Sequence, residues 1–289
     1  MISRTIYNFL KTSTKEKVFT RFSSKNSENV QQSHLTLCNV VNGIGKIVLN
    51  NPLKRNALSL AMLKSIENGL MENVVKKSHV VIISANGTVF SSGHDLKELI
   101  NTADSSHHKE IFDKCSEVMS LIQDIPIPVI AQVKGLATAA GCQLVASCDM
   151  AVAATNAMFA TPGVNIGLFC STPAVAVSRA VPHKIAMEML FTGQPIFAKD
   201  ALQYGLVNKV VPEEKLEEVT LNLAQQICKT SQPVVAMGKK CYYQQITQNR
   251  NDAYRIAGQV MVDNLKLKDG NEGIEAFLNK RKPLWTHEE

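Results

Sequence analysis

Two segments carry residue types whose spacing can aim backbone dipoles at a ligand. The first reads Phe90-Ser91-Ser92-Gly93-His94-Asp95-Leu96-Lys97-Glu98, and the second reads Lys134-Gly135-Leu136-Ala137-Thr138-Ala139-Ala140-Gly141-Cys142-Gln143. Each follows an apolar run that predicts a strand. Small residues at a strand-to-helix junction let N–H groups approach a ligand closely, and a helix N-terminus adds positive potential for an oxyanion. Tight packing of a turn explains either segment taken alone. Cys170 and Ser171 are nucleophile types, but neither has an identifiable base. A buried thiol and a helix-capping hydroxyl account for them as well.

The elements that must hold these segments follow from hydrophobic period. Leu35 to Val41 and Gly45 to Asn50 flank Asn42-Gly43, which favours a hairpin turn. Leu60, Leu63, Ile66, Leu70 and Val74 fall at helical spacing, and Val80 to Ser84 is a short apolar run typical of a buried strand. A helix from Lys109 to Gln123, a strand from Pro128 to Val133, a small-residue helix from Ala139 to Ser147 and a strand from Met150 to Ala154 continue the alternation. Strands alternating with crossover helices predict an α/β core. From Lys184 onward the pattern is mainly helical apart from Val207 to Val211, with helices over Glu214 to Lys229, Pro233 to Thr247 and Ala253 to Leu267.

Composition narrows the function classes. Of 289 residues, 45% are hydrophobic and 19% charged, which suits a globular chain with one sizeable core or two small ones. The longest apolar stretch, Pro128 to Ala154, is broken by Gln132, Lys134, Gln143 and Asp149, so no membrane span is expected. Seven scattered cysteines without a CxxC pair read as buried reduced thiols, with no metal site. The first 25 residues hold six of the Lys and Arg against the single acid Glu16, and Ile2, Ile6, Phe9 and Leu10 would share a helix face. That is the pattern of a mitochondrial presequence, for which a disordered basic tail is the alternative. Without those residues the chain has 25 Lys and Arg against 24 Asp and Glu, so its formal charge drops from +6 to +1. The basicity belongs to the leader and gives no footprint for nucleic acid.

The two glycine-containing segments, in this order, resemble the signatures of the crotonase (enoyl-CoA hydratase/isomerase) superfamily. Asn51-Pro52-Leu53-Lys54-Arg55-Asn56-Ala57-Leu58, Cys148 to Ala153, Ala198 to Val207 and Glu272 to Pro283 resemble further family segments, so the likeness runs from Leu35 to Trp285. It implies an α/β crotonase (ClpP-like) spiral of ββα units over residues 34–210. A helical C-terminal trimerisation region would occupy 211–289, and the presequence and linker 1–33. It also implies an acyl-CoA ligand, with the thioester oxygen held between the backbone N–H groups of His94 and Ala140. Lys54, Arg55, Ala57, Ser92, Asp95, Leu96, Lys97 and, from a neighbouring subunit, Lys280 would contact CoA. No cofactor beyond the CoA thioester is implied.

The departures from the family pattern bear most on function. The resemblance places two hydratase glutamates at positions 143 and 163, which here are Gln143 and Gly163, and an isomerase aspartate at Ser171. A glutamine can orient water but cannot take its proton, and each lost acid or base costs on the order of 10²–10⁴-fold. Asp95 and Glu98 are expected to be structural. His94 is the titratable side chain nearest the expected thioester, and its ordinary pKa suits proton transfer; together with Gln143 it is the catalytic candidate. The sequence therefore predicts a mitochondrial matrix protein of acyl-CoA metabolism, a homotrimer or a dimer of trimers, that binds acyl-CoA with altered catalysis. The alternative is an enzyme acting on a CoA thioester through the oxyanion hole, as a malonyl-type CoA decarboxylase or a weak hydratase or isomerase. RNA binding through Lys76-Lys77 or Lys239-Lys240 is the weakest option.

Overall fold

The computed structural model describes residues 34–100 and 105–288, and the expected presequence and linker lie outside them. Strands β1 (Thr36–Val41) and β2 (Ile44–Leu49) form the predicted hairpin, with Asn42 and Gly43 both at positive φ. Helix α1 (Leu60–Val75) follows, with Ser59 accepting from the Met62 N–H as its cap. It buries Met62, Leu63, Ile66 and Leu70.

Three ββα units come next. The first is β3 (Val80–Ala85), β4 (Val89–Ser91), a short α2 (Leu96–Ile100) and α3 (Ser105–Asp124). The second is β5 (Val129–Val133), β6 (Leu136–Thr138) and α4 (Ala140–Ser147), and the third is β7 (Met150–Ala154), β8 (Met158–Ala160) and α5 (Ser171–Ala180). The long strand of each unit enters a six-stranded sheet ordered β1-β2-β3-β5-β7-β10, parallel from β2 onward, which β10 (Lys209–Val211) completes. The short strand enters a second sheet ordered β4-β6-β8-β9, whose last member β9 (Ile196–Phe197) runs antiparallel. The chain folds as the spiral of ββα units that the resemblance implied.

Central strands are apolar on both faces because both are covered. Val80, Ile82, Ile130 and Val152 form one cluster with Leu216 and Ala224 of α8 (Glu213–Cys228), so the first of the C-terminal helices closes the sheet. Between β8 and α8 lie α6 (His183–Thr192) and α7 (Ala198–Gln203); beyond it come α9 (Gln232–Gln245), α10 (Arg250–Asn264) and α11 (Lys268–Leu278). No helix among the described residues is long and apolar enough to cross a membrane.

A buried ion pair anchors α9. The Lys239 ammonium donates to the Ile122 and Ile127 carbonyls and to Asp149 Oδ2, at 2.7, 2.8 and 2.7 Å, with its side chain 6% exposed. Asp149 also accepts from the Val129 N–H and the Tyr243 hydroxyl. Lys239 is thereby removed from any nucleic-acid-facing surface. All seven cysteines are free thiols, but not all are buried as expected: Cys148, Cys228 and Cys241 are half-buried, and Cys38, on the edge strand β1, is exposed even though its thiol faces α1 and donates to Thr36 Oγ1.

Candidate active site

The turn at 51–58 and the two glycine-containing segments meet at one place. Asn56, fully buried and at φ 51°, organises the first of them. Its amide donates to the Asn86 and Val89 carbonyls, its side-chain oxygen accepts from the Asn51 N–H, and its own carbonyl accepts from Ser91 Oγ. Asn tolerates the left-handed region and offers both donor and acceptor, which this position requires. The Ser92 N–H then donates to the Arg55 carbonyl, and the Leu58 N–H to the Gly93 carbonyl. Sequence reasoning did not single out Asn56, whose importance comes from partners 30 and 33 residues away.

Gly93 fits against the second segment so closely that a methyl group could not be added. At φ +83°, a Cβ there would lie 2.8 Å from Ala139 Cβ, 2.9 Å from the Thr138 carbonyl oxygen and 3.2 Å from the Ala140 nitrogen. Gly141 packs as tightly, its own Cβ position falling 2.6 Å from the Ser91 carbonyl oxygen. The backbones of β4–Gly93 and β6–α4 therefore run side by side, with the first N–H groups of α4 beside the Gly93–His94 peptide. Neither the His94 nor the Ala140 N–H has an acceptor among the described residues. Ala139, at the cap position of α4, holds φ 51° and ψ −120° and makes no side-chain cap bond. A non-glycine residue there stores strain on the order of 1–3 kcal/mol. Gly93→Ala is expected to add both a clash and an unfavourable φ, lowering Tm and displacing the His94 N–H; thermal melting and CoA titration of the variant check this.

The His94 ring is fixed from two sides. Its Nδ1 lies 3.2 Å from the Leu58 carbonyl oxygen, and its edge meets the Phe112 ring at 5.2 Å between centroids and 87°. A carbonyl can accept but not donate, so Nδ1 carries the proton and Nε2 the lone pair in the neutral ring. Nε2 is buried without a hydrogen-bond partner. Burial pushes the His94 pKa below the ordinary histidine value, against the opposing pull of the Leu58 carbonyl and the Glu98 carboxylate.

The remaining candidates differ in what they offer a ligand. Lys54 Nζ lies 3.5 Å from Asp95 Oδ2, an exposed pair of little energetic weight, so Lys54 can turn to an anion. Asp95 accepts from the Lys97 N–H and its carbonyl accepts from Glu98, while the Glu98 carboxylate accepts from the Leu60 N–H at the start of α1. Both carboxylates thus accept backbone N–H groups that brace the segment. Ala57 is buried beneath the turn, and Leu96 and Lys97 face solvent. Ser92 offers a ligand its carbonyl, since its N–H is already bonded to Arg55. Lys280 stands apart, exposed after α11 at φ 52°, with no hydrogen bond or ion pair joining it to the others among the described residues.

The interior offers little acid–base chemistry. Gln143 is buried in α4, its side-chain oxygen facing the Cys115 thiol at 3.9 Å. Burial pushes the Cys115 and Cys142 thiols up to about 12, so neither is a thiolate at neutral pH. At Gly163 a Cβ would fall 2.8 Å from the Leu168 carbonyl oxygen and 2.9 Å from Cys170 Sγ. The Cys170 thiol, which accepts from the Gly163 N–H, fills the space a side chain would need. Ser171 is the first residue of α5 and, contrary to expectation, does not cap it: Cys170 holds the cap position and the Ser171 hydroxyl bonds back to the Phe169 carbonyl.

Comparison with known proteins agrees with this architecture. The chain is 58% identical over 257 residues to enoyl-CoA hydratase domain-containing protein 3, mitochondrial, of Rattus norvegicus, covering 89% of this chain and 86% of that one. The solved structure of the human protein of that name superposes with a TM-score of 0.85 at 57% identity, over 87% of this chain and 100% of its own. An enoyl-CoA hydratase from Mycobacterium smegmatis gives a TM-score of 0.85 at 43% identity, over 87% and 98% of the two chains. The enoyl-CoA hydratase/isomerase family model matches residues 39–288, which span both sheets and every described helix, and the chain therefore belongs to that family.

Proposed function

We propose that this chain is a mitochondrial acyl-CoA-binding protein of fatty-acid metabolism that holds a thioester oxygen between the His94 and Ala140 N–H groups. The observation that carries the reading is the interlock of Gly93 with Ala139 and Ala140, which leaves two adjacent backbone donors without acceptors. Such donors are suited to a developing or resident oxyanion. Lys54 and Arg55 would meet the CoA phosphates, Ala57, Ser92, Asp95, Leu96 and Lys97 would line the nucleotide and pantetheine, and Lys280 of a neighbouring subunit would add a further cation. Relatives named as mitochondrial support the matrix location.

Assembly as a trimer or a dimer of trimers goes with this reading. Tyr242, Ile246, Tyr254, Met261 and Leu265 on and beside α9 and α10 are each more than half exposed, and apart from the Lys239 side chain neither helix sinks a residue into the chain. Apolar surface on this scale marks an interface.

A second reading is favoured by the same pair of donors together with Gln143 and the closed Gly163 position. Without a glutamate pair, chemistry that needs a stabilised thioester enolate rather than an activated water suits the site best, as in decarboxylation of a malonyl-type CoA. The test is calorimetric titration of the protein with acetyl-CoA and malonyl-CoA, with products measured by mass spectrometry on the same samples. Binding of at least one ligand is expected. No heat with either overturns the binding reading, and CO₂ release from malonyl-CoA selects the second reading over a purely binding role.

A further inference from the structure

We infer that a cleft at the carboxyl ends of β2, β3 and β5 is a second binding site, separate from the candidate active site, and that it takes a small zwitterion, an amino acid with an apolar side chain.

The cleft arises from where α8 begins. Side chains alternate between the faces of a strand, and Ile44 of β2, Ile82 of β3 and Ile130 of β5 share the face that Leu216 and Ala224 of α8 cover. Two and four residues further along, the same face carries Lys46 and Val48, then Ser84, then Gln132 and Lys134. These residues line a cleft of about 320 Å³, with Glu213 and Glu217 from the start of α8 as its other wall. Ile82 and Leu216, both buried, form its base.

Polarity at this place breaks the pattern of the sheet. β3 and β5 are central strands, whose covered faces are otherwise apolar. Ser84 and Gln132 lie two residues beyond the paired Ile82 and Ile130, and neither side chain has a hydrogen-bond partner among the described residues. Two neighbouring strands thus depart from their own pattern toward one cavity, as functional sites do. The carboxyl ends of parallel strands are also where open α/β sheets hold ligands.

The charges around the cleft select the ligand class. Lys46 pairs with Glu217 at 2.7 Å and Lys134 with Glu213 at 3.5 Å, and all four groups are partly open to solvent. Pairs this exposed hold weakly and open readily. Together they carry no net charge, so a polyanion would meet the glutamates and a polycation the lysines. A molecule with one carboxylate and one ammonium can join both pairs. Ser84 and Gln132 would add neutral hydrogen bonds, and the Ile82–Leu216 base would seat an apolar side chain. The volume lies at the small end of ligand pockets, which suits an amino acid rather than a nucleotide. None of the residues proposed to meet CoA lines the cleft; Asn86, whose carbonyl accepts from Asn56, is its border with the candidate active site.

The test is saturation-transfer NMR of the protein with L-leucine, L-valine and L-phenylalanine. 4-Methylpentanoate and 3-methylbutylamine serve as leucine analogues that keep only one of its charges. A Kd on the order of 1 mM is expected for at least one amino acid, given contacts this exposed, and about tenfold weaker binding for either analogue of leucine than for leucine itself. Gln132→Leu is expected to lose the amino acid and to melt no lower than wild type, because it continues the apolar face. Glu217→Lys, at an exposed position, is expected to weaken binding about tenfold. Acetyl-CoA is expected not to displace the bound amino acid. No binding of any of the three amino acids overturns the inference. Binding that survives both substitutions places the ligand elsewhere and overturns it. An analogue that binds as tightly as leucine overturns the zwitterion, and displacement by acetyl-CoA overturns the separateness of the two sites.

Discussion

Replacing Lys239 with alanine is expected to destabilise the protein by about 3–5 kcal/mol, because one half of a buried ion pair is removed and the other half stays. Asp149 would keep its bonds to the Val129 N–H and the Tyr243 hydroxyl, but its charge would lose its counter-ion. The Ile122 and Ile127 carbonyls would lose their shared donor at the same time. Three acceptors around one nitrogen require all three ammonium protons, so the group is charged in the fold even though burial lowers its pKa. Lys240, the next residue, is exposed, and Lys240→Ala should change stability by no more than about 0.5 kcal/mol. Urea denaturation of the two variants checks the contrast. Equal midpoints would show that α9 is not anchored through Lys239.

The second large effect concerns the two positions where the family resemblance places glutamates. Gln143→Glu with Gly163→Glu is expected to give no hydration of a short trans-2-enoyl-CoA and a markedly lower Tm. A side chain at 163 must displace the Leu168 carbonyl or the Cys170 thiol, each under 3 Å from its first carbon. The loop cannot easily give way, since the Leu168 N–H donates to the Gly163 carbonyl and the Gly163 N–H to Cys170. Overpacking alone costs about 1–3 kcal/mol, and an unpaired buried carboxylate adds more. Adding Cys170→Gly should recover part of the lost stability. A double variant that melts like the wild type and hydrates the enoyl substrate would show that the loop is not closed against a side chain.

Much of this molecule is legible in its sequence, and the parts that are not share a cause. The hairpin at Asn42-Gly43, the strands at Val80 and Met150, and the helices over 60–75 and 213–228 stand out because their period is long enough to read. The second sheet does not, because β4, β6 and β8 have three residues each and β9 two, too short for any alternation. Residues 171–203 hold three helices that the apolar pattern did not delimit. At the site, Gly93 and the Ala139–Gly141 turn were visible as small residues after strands. The strained residue of that turn proves to be Ala139, one position before the donor at Ala140. Asn56 and the Leu58 carbonyl were not visible, since their roles come from partners 30 or more residues away, apart from the local bond to Asn51. The ring orientation of His94 depends on one such carbonyl.

Each ββα unit gives one strand to the large sheet and the next to the small one, so neither layer can be completed until the chain has wound through both. No sheet is a local hairpin that could form early and wait, apart from β1 and β2. Parallel pairing between strands separated by whole helices places the loop-closure cost ahead of the contacts that offset it, which slows folding. The same winding works in reverse once the fold is complete: a strand that leaves one sheet pulls on its successor in the other. The molecule should open as a unit, and the turns of the candidate site, which lie where the short strands β4 and β6 lead into the helices that follow them, should be as long-lived as its core.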